Sequence, residues 1–189
     1  MNRIFEAALH FQAFAEDRLW EFCIIGGLAV QRWGEPRLTL DADLTLLTGF
    51  GNEERFIDEI LAHHQGRRPD AREFALRYRV LLAEAPNGVP LDISLGALPF
   101  EERSIQRSSD WKLPANSRLR TCSAEDLIIH KCFAGRPGDW RDVQGILFRQ
   151  TEGLDVDLIF SELQPLVELK ETPEAIDQLK KLLNECRSQ

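Results

Sequence analysis

Residues 38–47 read LTLDADLTLL and place two carboxylates, Asp41 and Asp43, two positions apart. Apolar and polar residues alternate along this stretch, which is the period-two pattern of a half-buried strand. Side chains at positions i and i+2 of a strand point to the same face, so the two carboxylates are predicted to lie side by side. At about 4 Å such charges repel by about 4 kcal/mol at the effective dielectric of a protein surface. The pair therefore points to a divalent cation such as Mg²⁺, which prefers hard oxygen ligands.

The residues before this strand predict a site for an anion. Residues 22–25 are apolar and predict a short buried strand. Gly26 and Gly27 follow, and residues 28–33 predict a helix. A strand, a glycine pair and a helix start expose unpaired backbone N–H groups at the positive end of a helix, where phosphate binds. A glycine pair on its own is more often an ordinary turn.

A third carboxylate follows in a predicted hairpin. Residues 72–84 predict a long strand, and Asn87-Gly88 predicts a tight hairpin turn. The returning strand at residues 89–95 carries Asp92 on the face opposite its apolar side chains. If this strand pairs with the strand at residues 38–47, all three carboxylates can meet at one point. The first hairpin strand is predicted to turn four apolar side chains to one face: Leu76, Tyr78, Val80 and Leu82.

A second motif lies on two predicted helices. Residues 123–134 predict a helix that carries Lys131 beside its apolar stripe. Such a lysine either extends its ammonium to solvent or offers a point charge to a triphosphate, and both alternatives stay open. Pro137 is typical of the first turn of a helix, on which Asp139 and Asp142 face one way. Asp139 could equally stabilise the helix dipole.

The two motifs together resemble the minimal nucleotidyltransferase superfamily, and within it the AbiEii-type toxin-like branch. The resemblance spans roughly residues 20–147 and rests on these elements in order: Gly26-Gly27, Arg37-x-Thr39-x-Asp41-x-Asp43, Asp92, Lys131-x-x-Ala134, Arg136 and Asp139-x-x-Asp142. There are two departures from the pattern. Gly27 stands where the superfamily usually has serine, and Gly138 stands where the branch often has a basic residue. Both departures bear on nucleotide affinity more than on metal binding.

The resemblance implies transfer of a nucleoside monophosphate from a nucleoside triphosphate to a hydroxyl acceptor, either an RNA or tRNA end or a protein. It implies two Mg²⁺ ions, or Mn²⁺, held by Asp41, Asp43 and Asp92, and an antitoxin protein as a partner. The implied catalytic residues are Asp41, Asp43, Asp92, Lys131 and Asp142. The implied nucleotide-binding residues are Gly26, Gly27, Arg37, Lys131 and Asp139.

The predicted fold is α+β, with a small mixed β-sheet flanked by helices and a helical C-terminal half. We expect a nucleotidyltransferase-like core over residues 1–121, a helical subdomain over residues 122–189 and an active site in the cleft between them. A basic, less regular segment is predicted over residues 100–121. Seven helices are predicted: residues 2–19, 28–33, 53–64, 123–134, 137–149, 155–167 and 173–187.

Composition restricts the function classes. The chain has 189 residues and a net charge of −8, from 23 basic and 31 acidic residues, which argues against a protein that coats DNA. It has no apolar run long enough to cross a membrane and no signal-peptide pattern, so we expect a cytoplasmic protein. Five arginines cluster in the middle of the chain and form either a solvated face or a path for RNA or triphosphate: Arg67, Arg68, Arg72, Arg77 and Arg79.

Three other functions stay open from the sequence. The chain could be a catalytically weak nucleotide-binding module with a regulatory or interaction role, since Gly27 lacks the serine hydroxyl. It could be a partner-binding protein whose aspartates have no chemical role. It could also be a metal-dependent phosphohydrolase, which would release nucleotide instead of attaching it.

Overall fold

The computed structural model describes residues 2–150 and 153–187, which form nine helices and seven strands. Contacts divide the chain into two units. The first unit combines Met1–Leu28 with Leu38–Cys122, and the second combines Ala29–Arg37 with Ser123–Gln189. The boundary falls inside the helix Gly26–Trp33 (α2), so the chain passes into the second unit and returns to the first before residue 38.

One mixed sheet organises the first unit, which confirms the predicted α+β fold. Its strands, in chain order, are β1 Phe22–Ile24, β2 Ala42–Leu47, β3 Gln65–Gly66, β4 Val80–Glu84, β5 Pro90–Gly96, β6 Ser109–Lys112 and β7 Arg118–Thr121. Their order across the sheet is β3-β4-β5-β2-β1-β7-β6. The β2–β5 and β1–β7 pairs are parallel, and the other pairs are antiparallel.

Apart from α2, which contains the boundary, each helix belongs to one of the two units. Those of the first unit are α1 Arg3–Glu16, α3 Glu53–Leu61, α4 Ala71–Tyr78 and α5 Pro99–Gln106. Those of the second unit are α6 Ala124–Ala134, α7 Pro137–Arg149, α8 Val156–Lys170 and α9 Glu174–Arg187. The four predicted C-terminal helices are therefore confirmed. None of the described helices is both long and apolar enough to cross a lipid bilayer.

The register of β2 with β5 separates an apolar face from a polar one. The pairing runs without interruption from Ala42 opposite Leu91 to Leu47 opposite Gly96. The apolar side chains at alternate positions of both strands are fully buried in a core that α1 and α3 also line. Asp43 and Asp92 are direct neighbours on the other face. The hydrophobic effect on one face thus fixes the register that brings the two carboxylates together.

The prediction of one long strand over residues 72–84 is wrong. Residues 71–78 form α4, and only residues 80–84 form a strand. Ala71 and Ala75, one helical turn apart, are buried, so small residues at helical spacing pack on the core. Arg79 takes a left-handed conformation, with φ of 56°, and separates the two elements.

The predicted face of β4 is also wrong. Leu81 and Ala83 are fully buried, whereas Val80 and Leu82 lie on the partly exposed face of the sheet. The exposed side chains of Leu76 and Tyr78 belong to α4. Because the helix interrupts the alternation, a face assigned from residue 76 does not continue through residue 82.

Several predicted boundaries also shift. The helix predicted over residues 53–64 ends at Leu61, and the helix predicted over residues 2–19 ends at Glu16. Strand β2 begins at Ala42, so residues 38–41 approach the sheet without pairing in it. The basic segment at residues 100–121 is more regular than predicted, since it contains most of α5 and the β6–β7 hairpin.

Candidate active site

Three carboxylates, Asp41, Asp43 and Asp92, form an acidic triad in the first unit. Asp43 and Asp92 are paired across parallel strands, and Asp41 precedes β2 by one residue. One oxygen atom from each carboxylate lies within 4.8 Å of the other two. All three residues are partly buried. The structure therefore brings together the three side chains that the sequence allowed to meet if the two strands paired.

The glycine pair packs directly against this triad. Gly26 has a φ of +58°, which L-residues rarely adopt, and a methyl group at its Cα would overlap the Asp43 carboxylate. The backbone N–H of Gly27 donates a hydrogen bond of 3.4 Å to Oδ2 of Asp43. The first turn of α2 thus points its positive end at the triad, as an anion site requires.

Thr39 contacts the triad. In the sequence it is identified only as part of the Arg37-x-Thr39-x-Asp41-x-Asp43 motif. Its hydroxyl donates a 3.1 Å hydrogen bond to Oδ1 of Asp41. A side chain at position 27 would overlap the Thr39 hydroxyl, so the space that a serine would need at this position is already filled. Thr39 lies two positions before Asp41, and the period-two alternation could have predicted that the two side chains share a face.

Arg67 also contacts the triad, whereas the sequence placed it only in the arginine cluster. Its guanidinium donates to Oδ1 of Asp92 in a partly exposed ion pair. Burial raises the pKa of the Asp92 carboxyl above its ordinary value; the Arg67 charge opposes this rise and the Asp41 charge adds to it. The Asp92 side chain is neither turned away from the triad nor isolated within it. It belongs to the triad and has one arginine as counter-ion.

A second polar cluster lies in the second unit. Lys131 on α6 places its ammonium 2.9 Å from Oδ1 of Asp139 and 2.8 Å from Oδ2 of Asp142, both on α7. The side chains of all three residues are less than a tenth exposed. The Lys131 ammonium is therefore not extended to solvent. We call these three residues the lysine–aspartate cluster.

An arginine completes the pairing of each buried aspartate. Arg37 donates two hydrogen bonds to Asp142, of 2.7 and 2.9 Å. Arg136 donates to Asp139 through its side chain at 2.7 Å and through its backbone N–H at 3.2 Å. Burial raises the pKa of both aspartates, but hydrogen bonds from the arginines and from Lys131 outweigh it, so both pKa values lie below the ordinary value. Both aspartates are therefore ionised at neutral pH.

The family model described as nucleotidyl transferase AbiEii toxin, type IV TA system, matches residues 20–144, more than half of the chain. The chain belongs to this family. It is therefore a nucleotidyltransferase, and the resemblance inferred from the two motifs is confirmed. The matched residues include the acidic triad, the glycine pair and the lysine–aspartate cluster. No curated protein gives a significant match to the chain.

One solved structure shows the same fold at low sequence identity, and two further structures give weaker superpositions. An antigenic nucleotidyltransferase-like protein from Paracoccidioides brasiliensis superposes with a TM-score of 0.51 at 14% identity, covering 93% of this chain and 91% of its own. The solution structure of the antibiotic-resistance factor ANT(2'')-Ia gives 0.49 at 18% identity, covering 91% and 94%. The crystal structure of ANT(2")-Ia in complex with adenylyl-2"-tobramycin gives 0.45 at 17% identity, covering 98% and 96%.

The triad of this nucleotidyltransferase fits a divalent cation. Its donors are three carboxylates, the hard anionic ligands that Mg²⁺ and Mn²⁺ prefer. Oxygens on opposite sides of a Mg²⁺ ion are about 4.2 Å apart. The triad oxygens lie within 4.8 Å of one another, so they would have to move closer together to bind a single Mg²⁺ ion. Among the described residues, this is the one group of three or more such side chains close enough to hold a metal ion.

The arginine-rich segment favours the interpretation as a solvated face. Arg68 pairs with Asp70 and Arg79 pairs with Glu53. Arg72 pairs with both Asp58 and Glu54. These arginines are matched to nearby acids, so the segment does not present a continuous positive path.

Proposed function

We propose that this chain is a divalent-metal-dependent nucleotidyltransferase that moves a nucleoside monophosphate from a nucleoside triphosphate to a hydroxyl acceptor and releases pyrophosphate. Family membership supports nucleotidyl transfer. The observation that carries the metal dependence is the convergence of three carboxylates within 4.8 Å, next to a glycine pair that approaches one of them closely. Fixed anionic charges at this distance are unfavourable without a cation.

In this proposal the acidic triad holds the metal. Asp41 and Asp43 bind one Mg²⁺ or Mn²⁺ ion, and with Asp92 they bind a second. When bound, such ions neutralise phosphate charge and lower the pKa of an attacking hydroxyl. Thr39 orients Asp41 through its 3.1 Å hydrogen bond. Arg67 balances the charge of Asp92 before the metal binds.

The glycine pair binds a phosphate of the nucleotide. The N-terminal turn of α2 offers backbone N–H groups and the positive end of the helix dipole. The Gly27 N–H already points at an anionic oxygen, that of Asp43. The Asp43 carboxylate and the Thr39 hydroxyl occupy the space beside the Gly26 and Gly27 Cα atoms, so a phosphate here binds through the backbone N–H groups of the turn. The missing serine hydroxyl removes one donor but leaves these backbone donors in place.

The lysine–aspartate cluster provides positive charge for the phosphates. With its two arginines it contains three cations and two anions, which leaves one net positive charge. We assign Lys131 and Arg37 to neutralising the charge that develops as pyrophosphate leaves. Asp139 and Asp142 fix these cations in place. Asp142 belongs to the proposed catalytic set because it contacts both Lys131 and Arg37.

The acceptor and the biological role are also proposals. The acceptor is a hydroxyl of an RNA or tRNA end, or of a protein. The family description associates its members with type IV toxin–antitoxin systems, so we propose that the chain acts as a toxin component with an antitoxin partner.

A labelled-transfer assay tests the proposed function. Purified protein is incubated with Mg²⁺, each labelled nucleoside triphosphate and total RNA, and the products are separated on a denaturing gel. We expect label on RNA or on a protein band, lost with EDTA and in Asp43→Asn. The matched control is Asp70→Asn, an aspartate ion-paired with Arg68 outside the triad. Release of free nucleotide without transfer would favour a phosphohydrolase, and binding without transfer would favour a regulatory module.

A further inference from the structure

One arginine lies in the same row of the sheet as the acidic triad. Asp43 on β2 is paired with Asp92 on β5, and Asp92 is paired with Leu82 on β4. The backbone N–H of Arg67, directly after β3, donates a 3.0 Å hydrogen bond to the carbonyl of Leu82. The sheet therefore places Asp43, Asp92, Leu82 and Arg67 in one row across the strands. Asp43 lies at one end of this row and Arg67 at the other. Its guanidinium reaches past Leu82 to Oδ1 of Asp92.

We propose that Arg67 is the resident counter-ion of the acidic triad and that it exchanges Asp92 for a phosphate group of the nucleotide when the site is loaded. This inference rests on the proposed function and adds to it a residue that contacts the substrate. It also makes Arg67 a competitor of the metal for one Asp92 oxygen while no nucleotide is bound.

The pairing of Arg67 differs from that of its neighbours. Arg68, Arg72 and Arg79 each pair with acids outside the triad. In the part of the chain that the structure describes, the ion pair of Arg67 is with Asp92. Arg67 is thus the guanidinium of this segment in direct contact with the site.

The chemistry of guanidinium permits the exchange. Its planar fork of N–H donors matches a carboxylate and a phosphate equally well. The Arg67 side chain is 27% exposed, so it can change partner without disturbing the core. Its backbone stays anchored to β4 through the bond to Leu82. If Asp92 held a divalent ion, its charge would no longer be available to Arg67, and the guanidinium would be available to a phosphate of the nucleotide.

Two binding measurements on Arg67→Gln test this inference. In the first, Mn²⁺ binding without nucleotide is followed by electron paramagnetic resonance, and we expect about fivefold tighter binding, comparable to the loss of one surface ion pair. In the second, binding of a non-transferable α,β-methylene nucleoside triphosphate at saturating Mg²⁺ is followed by calorimetry. We expect about tenfold weaker binding, since one charge-assisted contact is lost. The control is Arg68→Gln, which should leave both affinities at the wild-type value.

The two readouts separate the outcomes. If Arg67→Gln binds both ligands like the wild type, or binds Mn²⁺ more weakly, the Arg67 assignment is overturned while the proposed function stands. If the wild type binds neither Mn²⁺ nor nucleotide, both are overturned. Arg67→Lys keeps the positive charge but lacks the planar set of N–H donors. It serves as a second variant in case the glutamine variant misfolds. It should retain the wild-type Mn²⁺ affinity and the wild-type melting temperature, and should bind nucleotide with intermediate affinity.

Discussion

At the scale of single residues, the acidic triad is unfavourable for the fold that contains it. Carboxylates about 4 Å apart repel by about 1 kcal/mol in water and more where solvent is partly excluded. The structure offsets this repulsion with the Arg67 guanidinium, the Thr39 hydroxyl and the Gly27 N–H. An arrangement that needs three separate compensations, and that buries little apolar surface, is explained by binding and not by stability.

The first prediction concerns Asp43. Asp43→Asn should reduce nucleotidyl transfer by at least about a hundredfold, since it replaces a charged metal ligand with a neutral amide oxygen. The metal-free variant should unfold at the wild-type temperature or slightly higher, because the asparagine oxygen can still accept from Gly27 and one repulsive charge is gone. Transfer assays and thermal melts in EDTA check both parts. A variant that retained wild-type activity would refute the metal assignment.

The second prediction concerns pH. The pKa of Asp92 is raised, chiefly by burial, so this carboxyl takes up a proton at a higher pH than an ordinary aspartate does. As the pH is lowered, the Mn²⁺ affinity should therefore begin to fall at a higher pH than it would if Asp92 titrated as an ordinary aspartate. Mn²⁺ titrations at a series of pH values from neutral downwards check this. If the Mn²⁺ affinity began to fall only in the pH range of an ordinary aspartate, the raised pKa of Asp92 would be contradicted.

At the scale of elements, the lysine–aspartate cluster joins α6 to α7. Breaking a buried ion pair by removing one partner costs about 3 kcal/mol or more, because the opposite charge is left uncompensated. Here the two arginines remain on Asp139 and Asp142, so the third prediction is that Lys131→Met lowers the free energy of unfolding by about 2–3 kcal/mol. Urea unfolding at neutral pH measures it. The control is Lys181→Met on α9, an exposed lysine paired with Glu185, which should have little effect.

The same cluster makes the stability depend on pH in a known direction. Asp139 and Asp142 have lowered pKa values in the folded protein, so their stabilising contribution is complete above the pKa of an unfolded aspartate. It is lost as the pH falls through the lowered values. The acid-induced fall in the free energy of unfolding should therefore be smaller in Lys131→Met than in the wild type.

The fourth prediction concerns the end of α1. Leu19 adopts a left-handed conformation with φ of 55°, and its side chain is 92% exposed. A left-handed conformation costs a non-glycine residue about 1 kcal/mol. Leu19→Gly should therefore raise the free energy of unfolding by up to about 1 kcal/mol. Leu169→Gly, at another exposed leucine but inside α8, should instead lower it by about 1 kcal/mol. Paired denaturant melts would show opposite shifts, and equal shifts would contradict the conformational argument.

Elements with strong local signals could be predicted from the sequence, and those defined by tertiary packing could not. The C-terminal helices have caps and helical periodicity, and their prediction is confirmed. Residues 71–84 divide into α4 and β4 because Ala71 and Ala75 pack on the core, although apolar and polar side chains alternate from Leu76 to Val80 as in a strand. Alternation of apolar and polar residues does not show that a helix ends at Arg79, which takes a left-handed backbone conformation.

At the scale of the whole molecule, some residues of the candidate site could be predicted from the sequence and others could not. Asp41, Asp43 and Asp92 could be predicted because they lie in two segments with clear alternation, and one assumed strand pairing brings them together. Arg67 could not be predicted. It reaches Asp92 through the pairing of the two-residue strand β3 with β4, and so short a strand has no periodicity that a sequence can show.

The parallel pairing of β2 with β5 also has a consequence for synthesis of the protein. Everything from α3 to β4 lies between the two strands in the chain, so their pairing closes a long loop and must wait until that segment has been made. A nascent chain on the ribosome therefore carries Asp41 and Asp43 well before Asp92 emerges. If the protein is harmful to the cell that makes it, its chemistry stays latent until translation has passed the last strand of the triad.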